Sequence, residues 1–189
     1  MRKLVLIKHA MPILQSEVAS SEWQLSDEGR QKATELASYL KEYKTNTIYS
    51  STEPKAIETA TIASNELGSE VVIKEDLHEH LRRTKRKIYP VEEFHNLIRN
   101  FFHYKDMLIF GEETANMAKK RFTTAITNLL KEVPEQEDVI VVTHGTVMTL
   151  FVSEYNEIDE FDLWSSFGLP SIVELSLADF SILNVKTKS

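Results

Sequence analysis

Two histidines stand in matching surroundings. Lys8-His9-Ala10 follows the apolar run Leu4-Val5-Leu6-Ile7, and Thr143-His144-Gly145 follows the apolar run Val139-Ile140-Val141-Val142. Two more side chains with useful chemistry follow other short apolar runs: Lys55 shortly after Ser50-Ser51, and Glu79 in Leu77-His78-Glu79. Lysines and helix N-termini hold oxyanions such as phosphate. An imidazole can act as a nucleophile and form a covalent intermediate. A carboxylic acid can protonate a departing oxygen. Two histidines, two lysines and one acid, without a thiol, fit one task, transfer of a phosphoryl group.

The elements needed to bring these groups together are legible. A four-residue apolar run rich in β-branched residues reads as a strand buried on both faces. Ligands of open α/β sheets bind just beyond the carboxyl ends of the strands. Two such strands in one sheet would set His9 and His144 side by side at the mouth of a shared site. Either histidine alone would equally suit a hydrogen-bonded core residue. Lys55 or Glu79 alone would suit a solvated surface group.

Composition narrows the classes. The chain has 189 residues, 42 % hydrophobic and 27 % charged, which suits one globular domain with a substantial core. It has no cysteine, which excludes disulfides, thiolate catalysis and thiolate metal sites. The first apolar run is too short for a signal peptide, and no stretch approaches membrane-spanning length, so a cytoplasmic location is expected. A net charge of −7 repels polyanions, so nucleic acid is not an expected partner. An anionic substrate needs a local positive pocket.

Taken in order, 10–24 reads as a loop with Pro12. Ser26 then caps a helix with Asp27 and Glu28 in its first turn, and Ala33, Leu36, Ala37 and Leu40 carry it to about Tyr43. Thr47-Ile48-Tyr49 is a strand. Pro54 opens a second helix that Gly68 closes, and Val71-Val72-Ile73 is a third strand. Helices follow over 91–102 and 114–133, then the second histidine strand, then a helix over 146–155. The segments 171–177 and 180–185 read as a hairpin around Ala178-Asp179. Strands alternating with helices predict a three-layer α/β/α fold, with a mostly parallel sheet and one antiparallel edge strand.

The chain resembles the histidine phosphatase superfamily, also called the phosphoglycerate-mutase-like family. Its strand followed by Arg-His-Gly corresponds to Lys8-His9-Ala10, and its Ser-x-x-x-Arg-Ala-x-x-Thr-Ala to the run from Ser51 through Lys55-Ala56 to Thr59-Ala60. Leu-x-Glu corresponds to Leu77-His78-Glu79, Gly-Glu-Ser to Gly111-Glu112-Glu113, and the late Ser-His-Gly to Thr143-His144-Gly145. Order and spacing agree from Leu4 to Gly145. The resemblance implies one domain over 1–189, with 78–113 covering the active site. It implies that His9 becomes phosphohistidine and that His144 completes the phosphate pocket. Lys8 and Lys55 stand where the family's arginines grip phosphate, and Glu79 is the proton donor, with Glu53 and Glu112 as alternatives. No metal and no cofactor are implied.

This sequence departs from that pattern in ways that shape the expectation. Both pocket arginines are lysines, which trades a planar two-point grip for a point charge on a flexible stem. Ala10 replaces a glycine. Pro12 and Gln15 replace the usual polar Thr and Asn. The leading expectation is a phosphomonoesterase for a small phosphorylated metabolite. The alternatives are a degenerate phosphatase fold that binds a phosphorylated ligand or protein without turnover, and a phosphomutase. His78 and His80 bracket Glu79 as a weak metal pair, and His95 and His103 need no special role. The run Arg82-Arg83-Thr84-Lys85-Arg86-Lys87 suits a solvated loop, or else sends one or two cations to the substrate. Gln15, Arg82 and Arg83 are the candidate substrate contacts. Reversing the charge at Arg82 and Arg83 should then weaken binding of phosphate compounds, and unchanged affinity would dismiss that role.

Overall fold

The computed structural model describes residues 1–82 and 87–187. Its centre is a six-stranded sheet with strands β1 (Lys3–Lys8), β2 (Thr47–Ser50), β3 (Glu70–Ile73), β4 (Val139–Thr143), β5 (Ser171–Ser176) and β6 (Ile182–Lys186), in the order β3-β2-β4-β1-β5-β6. The first four in that order run parallel. Strand β5 runs against both β1 and β6, so the antiparallel edge is a strand pair with β5 one place in from the border.

The apolar runs are buried on both faces because helices lie on each. Leu4, Leu6, Val139 and Val141 point to one layer, with α4 (Ala115–Glu132), α5 (Gly145–Tyr155) and part of α3 (Val91–His103). Val5, Ile7, Ile140 and Val142 point to the other, with α1 (Asp27–Leu40) and α2 (Pro54–Leu67). Strand side chains alternate between faces, so each run supplies two cores at once.

Local signals act as expected at the helix ends. The Ser26 hydroxyl accepts from the Gly29 amide, and Gly68 closes α2 with φ of 66°. Helix α1 stops at Leu40 rather than near Tyr43; Tyr43 is buried in the turn that follows, so its apolar spacing reports packing and not helix. The loop over 10–24 is more ordered than its sequence suggests. It holds a short 3-10 turn at Ser20–Glu22 and a bridge between Pro12 and Leu25. The structure adds a helix that periodicity does not reveal, α6 (Glu160–Ser166), with only seven residues and an Asp159 cap. Among the described residues, no helix is long and apolar enough to cross a membrane.

One close approach fixes the loop after β1. Ser26 donates to the Met11 carbonyl through its amide at 3.0 Å and its hydroxyl at 3.1 Å, and a Cβ on Gly29 would lie 2.1 Å from the same oxygen. Gly29→Ala should therefore destabilise the fold by about 1–3 kcal/mol, as an overpacked site does. Helix propensity alone would make the change favourable by up to about 1 kcal/mol. Urea unfolding decides between them, and a more stable variant would show that this contact relaxes freely.

Candidate active site

Parallel pairing of β1 with β4 matches Lys8 to Thr143, and the His9 amide extends the ladder to the Thr143 carbonyl at 3.0 Å. His9 and His144 are thus the next residues of two paired strands. Their rings lie 5.2 Å apart between centroids, tilted by 58°. His9 Nδ1 lies 2.8 Å from the Ala10 carbonyl. A carbonyl only accepts, so Nδ1 carries the proton and Nε2 keeps its lone pair. Burial pushes the His9 pKa well below its ordinary value, and the positive charges of Lys55 and Lys8 and the neighbouring His144 add to this against the Ala10 carbonyl. The imidazole is neutral at pH 7.

His144 is fully buried at the start of α5. Its Nε2 is hydrogen-bonded to the Ser51 hydroxyl at 2.7 Å, with Glu53 Oε1 at 3.7 Å. Its Nδ1 is buried and has no hydrogen-bond partner among the described residues. Burial, then Lys55, lowers its pKa well below the ordinary value. Ser51 reaches it because the Ser51 amide donates to the Val142 carbonyl, continuing the pairing of β2 with β4.

The two lysines have different situations. Lys8 lies along the cavity, with Nζ 6.0 Å from the centre of the Phe167 ring. Burial pushes its pKa down to about 8, against the pull of Glu79. Gly145 lets its chain pass, since a Cβ there would sit 3.3 Å from Lys8 Cε. Lys55 lines the same cavity but its ammonium is engaged. It forms a very short ion pair with Glu53 and donates to the Ser20 carbonyl at 2.5 Å. The positive charge is where the sequence suggests, but a buried acid already holds it.

Glu79 caps α5 from a distance. Its carboxylate accepts from the amides of Thr146 at 3.1 Å and Val147 at 3.3 Å, and from the His80 amide at 2.8 Å. Those α5 amides have no intrahelical partner, and the helix dipole favours an anion there. Burial pulls the Glu79 pKa up, but His144, Arg82 and these amides outweigh it and hold the group below the ordinary carboxylate value. The loop carrying Glu79 is fixed by Arg121 of α4. Its guanidinium donates to the carbonyls of Asp76, His78 and Glu79 and pairs with buried Glu113 through Nε at 2.8 Å and Nη2 at 2.9 Å.

These groups open into a cavity of about 360 Å3 that holds Lys8, His9, Lys55, Glu79 and His144 together. Gln15 and Arg82 also line it; Arg83 lies outside the described residues. Gln15 uses its carbonyl to accept from Trp23 Nε1 at 2.9 Å. His80 faces away from that chemistry. Its Nε2 contacts the Glu113 carbonyl at 2.8 Å, it packs on Phe101 and Phe110, and burial, with Arg82, lowers its pKa to about 4. His78 and His80 form no metal cluster: among the described residues, no three histidines and acids gather so as to hold one. His95 packs on Phe161 and Trp164, and His103 against Tyr104.

Sequence reasoning gave Ser51 and Arg121 no role and saw Glu53 only as a spare acid. Ser51 was within reach, being the residue just past a strand. Arg121 follows Lys119-Lys120 on a surface helix, and nothing local separates it from a solvated cation.

The class follows from this arrangement: an α/β sheet presenting two neutral histidines and a lysine at the carboxyl ends of adjacent strands. Residues 4–182 match the model of the histidine phosphatase superfamily (branch 1), and the chain belongs to that family. Solved structures with the same fold include the mycobacterial glucosyl-3-phosphoglycerate phosphatase in complex with VO3, at 19% identity and TM-score 0.78, covering 100% of this chain and 100% of that one. Bacillus stearothermophilus YhfR is similar at 24% identity and TM-score 0.77, covering 100% and 98%. The phosphoserine phosphatase of Entamoeba histolytica in complex with 3-phosphoglyceric acid is similar at 19% identity and TM-score 0.70, covering 100% and 98%. Among curated proteins, none matches the chain.

Because the Lys8 pKa is lowered to about 8, its charge is present below that pH and lost above it. A phosphate monoester, with a second pKa of about 6, stays dianionic throughout that range. Affinity for such an ester should therefore fall between pH 8 and pH 10, and Lys8→Arg should flatten the fall, because a guanidinium keeps its charge. Calorimetric titration reads this directly; a fall of equal size in the variant would assign it to another group.

Proposed function

We propose that this chain is a phosphomonoesterase that works through a phosphohistidine on His9. The observation that carries the reading is the His9 imidazole itself. It is buried and neutral, its Nδ1 proton is held by the Ala10 carbonyl, and its free Nε2 stands in a cavity shared with Lys8 and His144. In the first step Nε2 attacks phosphorus, an N–P bond forms and the P–O bond to the alcohol breaks. Water then attacks the phosphohistidine, releases inorganic phosphate and restores His9. Lys8, Lys55 and His144 hold the phosphoryl oxygens, as fixed charges and donors around a developing charge accelerate such transfers. The two similar structures named as phosphatases, for glucosyl-3-phosphoglycerate and for phosphoserine, support a small phosphate ester as substrate.

Glu79 is the proton donor to the departing oxygen. Free, it is a carboxylate; the arrival of a dianionic ester beside it raises its pKa and lets it take up a proton. Residues 78–113 serve as the cover, since Arg82, Lys87, Tyr89 and Phe94 all reach the cavity from that segment.

The second reading, a binder of phosphate esters without turnover, is favoured by one fact. Lys55 is already neutralised by Glu53, so a bound ester must compete for it. Release of phosphate from phenyl phosphate separates the two. The parent should be active and His9→Ala slower by about a thousandfold or more, as for loss of a nucleophile. A parent as inert as the variant, but still binding phosphate, establishes the binder. Glu79→Gln should slow alkyl esters far more than phenyl esters, and equal slowing would remove Glu79 from the proton transfer.

A further inference from the structure

Away from the phosphate-holding groups, the cavity is walled by apolar and aromatic side chains from separate parts of the chain. Leu14 and Trp23 come from the loop after β1, Ile88, Tyr89 and Phe94 from the segment entering α3, and Trp164 from α6. The rings support one another: Phe94 stacks on Tyr89 at 6.1 Å and meets Trp164 edge-on at 5.7 Å. Leu14 is 57% exposed and Ile88 43% exposed, so apolar surface stands open at the mouth of the cavity. Exposed apolar surface beside a polar centre marks a binding site.

The charged groups on this wall serve the rings. The Arg82 guanidinium lies 5.5 Å from the Phe94 ring centre and 5.3 Å from that of Phe110. Lys87 lies 4.5 Å from the Tyr89 ring centre and is paired with Glu93 at 2.7 Å. Among the described residues lining the cavity, the only carboxylate is Glu79, which is turned to the α5 amides. An ammonium group on the substrate thus finds no acid among the described residues of the wall, and the two cations described there, Arg82 and Lys87, already lie over aromatic faces.

We propose that the alcohol portion of the substrate is uncharged, planar and apolar, an aryl group seated between Leu14, Trp23, Tyr89, Phe94 and Trp164. This rests on the reading of the histidine hollow as a phosphate site and names its substrate class.

Binding of phosphonates tests the class without requiring turnover. Methylphosphonate probes the hollow alone, 1-naphthylmethylphosphonate adds an aryl body, and 2-carboxyethylphosphonate adds a charge in its place. Calorimetry on the full chain should show the naphthyl compound binding at least about thirtyfold tighter than methylphosphonate, from the apolar area it covers. The carboxyethyl compound should gain nothing. Trp164→Ala should narrow the gap, and the exposed position Leu14→Asn, which costs the core nothing, should narrow it independently. Equal affinity for the methyl and naphthyl compounds, or a preference for the carboxylate, overturns the substrate class and leaves the phosphate hollow standing. A protein that binds none of the three overturns the hollow and this proposal with it.

Discussion

The site depends on the register between β1 and β4. Once Lys8 pairs with Thr143, the next residue of each strand is a histidine, and the two rings meet 5.2 Å apart. A slip of one residue would turn every side chain of a strand to the opposite layer. Leu4, Leu6, Val5 and Ile7 are all fully buried, so the penalty for that slip falls on both cores at once. The neighbouring β2–β4 ladder brings Ser51 to His144 in the same way. Geometry at the histidine pair is thus inherited from the packing of the sheet and owes little to the loops.

Around that pair, the buried carboxylates and Lys55 are tied to partners. Glu53 holds Lys55 and also accepts the Glu79 amide at 2.9 Å; Glu79 caps α5; Arg121 clasps Glu113 and the loop that carries Glu79. Isolated charges this deep would be costly, and pairing is what allows them to persist. The arrangement also explains how lysine serves at position 55. An ammonium is compact, and one carboxylate with one carbonyl satisfies most of its donors, whereas a guanidinium would present a wider planar fork to the same space. Lys8 differs in kind. Burial lowers its pKa to about 8 and no carboxylate of the hollow neutralises it, so it is the cation most available to an incoming anion.

The outer half of the cavity is assembled differently. Its rings come from loops and short helices widely spaced in sequence, held by contacts among themselves and by the bond of Trp23 to the Gln15 carbonyl. The sheet carries the two histidines and Lys8, and the segments above it carry the rings. Members of one fold family differ in such segments, since function resides in sites grafted onto the scaffold.

What the sequence determined by itself were the elements with strong local causes. The fully apolar runs gave the two central strands, and Ser26, Pro54 and Gly68 gave helix ends, because each acts through its own backbone neighbours. His9, His144, Lys8, Lys55 and Glu79 were legible as a set through their places after strands, and all five line one cavity. Helix α6 was not legible, being too short to show a period, and neither was the exact place of β5 within the sheet. Tertiary structure alone decided that Glu53 occupies Lys55, that Arg121 reaches back to the Glu79 loop across more than forty residues, and that Trp23, Tyr89, Phe94 and Trp164 line one cavity. Local preferences extend over a turn or two of chain, whereas ion pairs, helix capping by a distant acid and shared cavities are set by which surfaces the packed layers bring into contact.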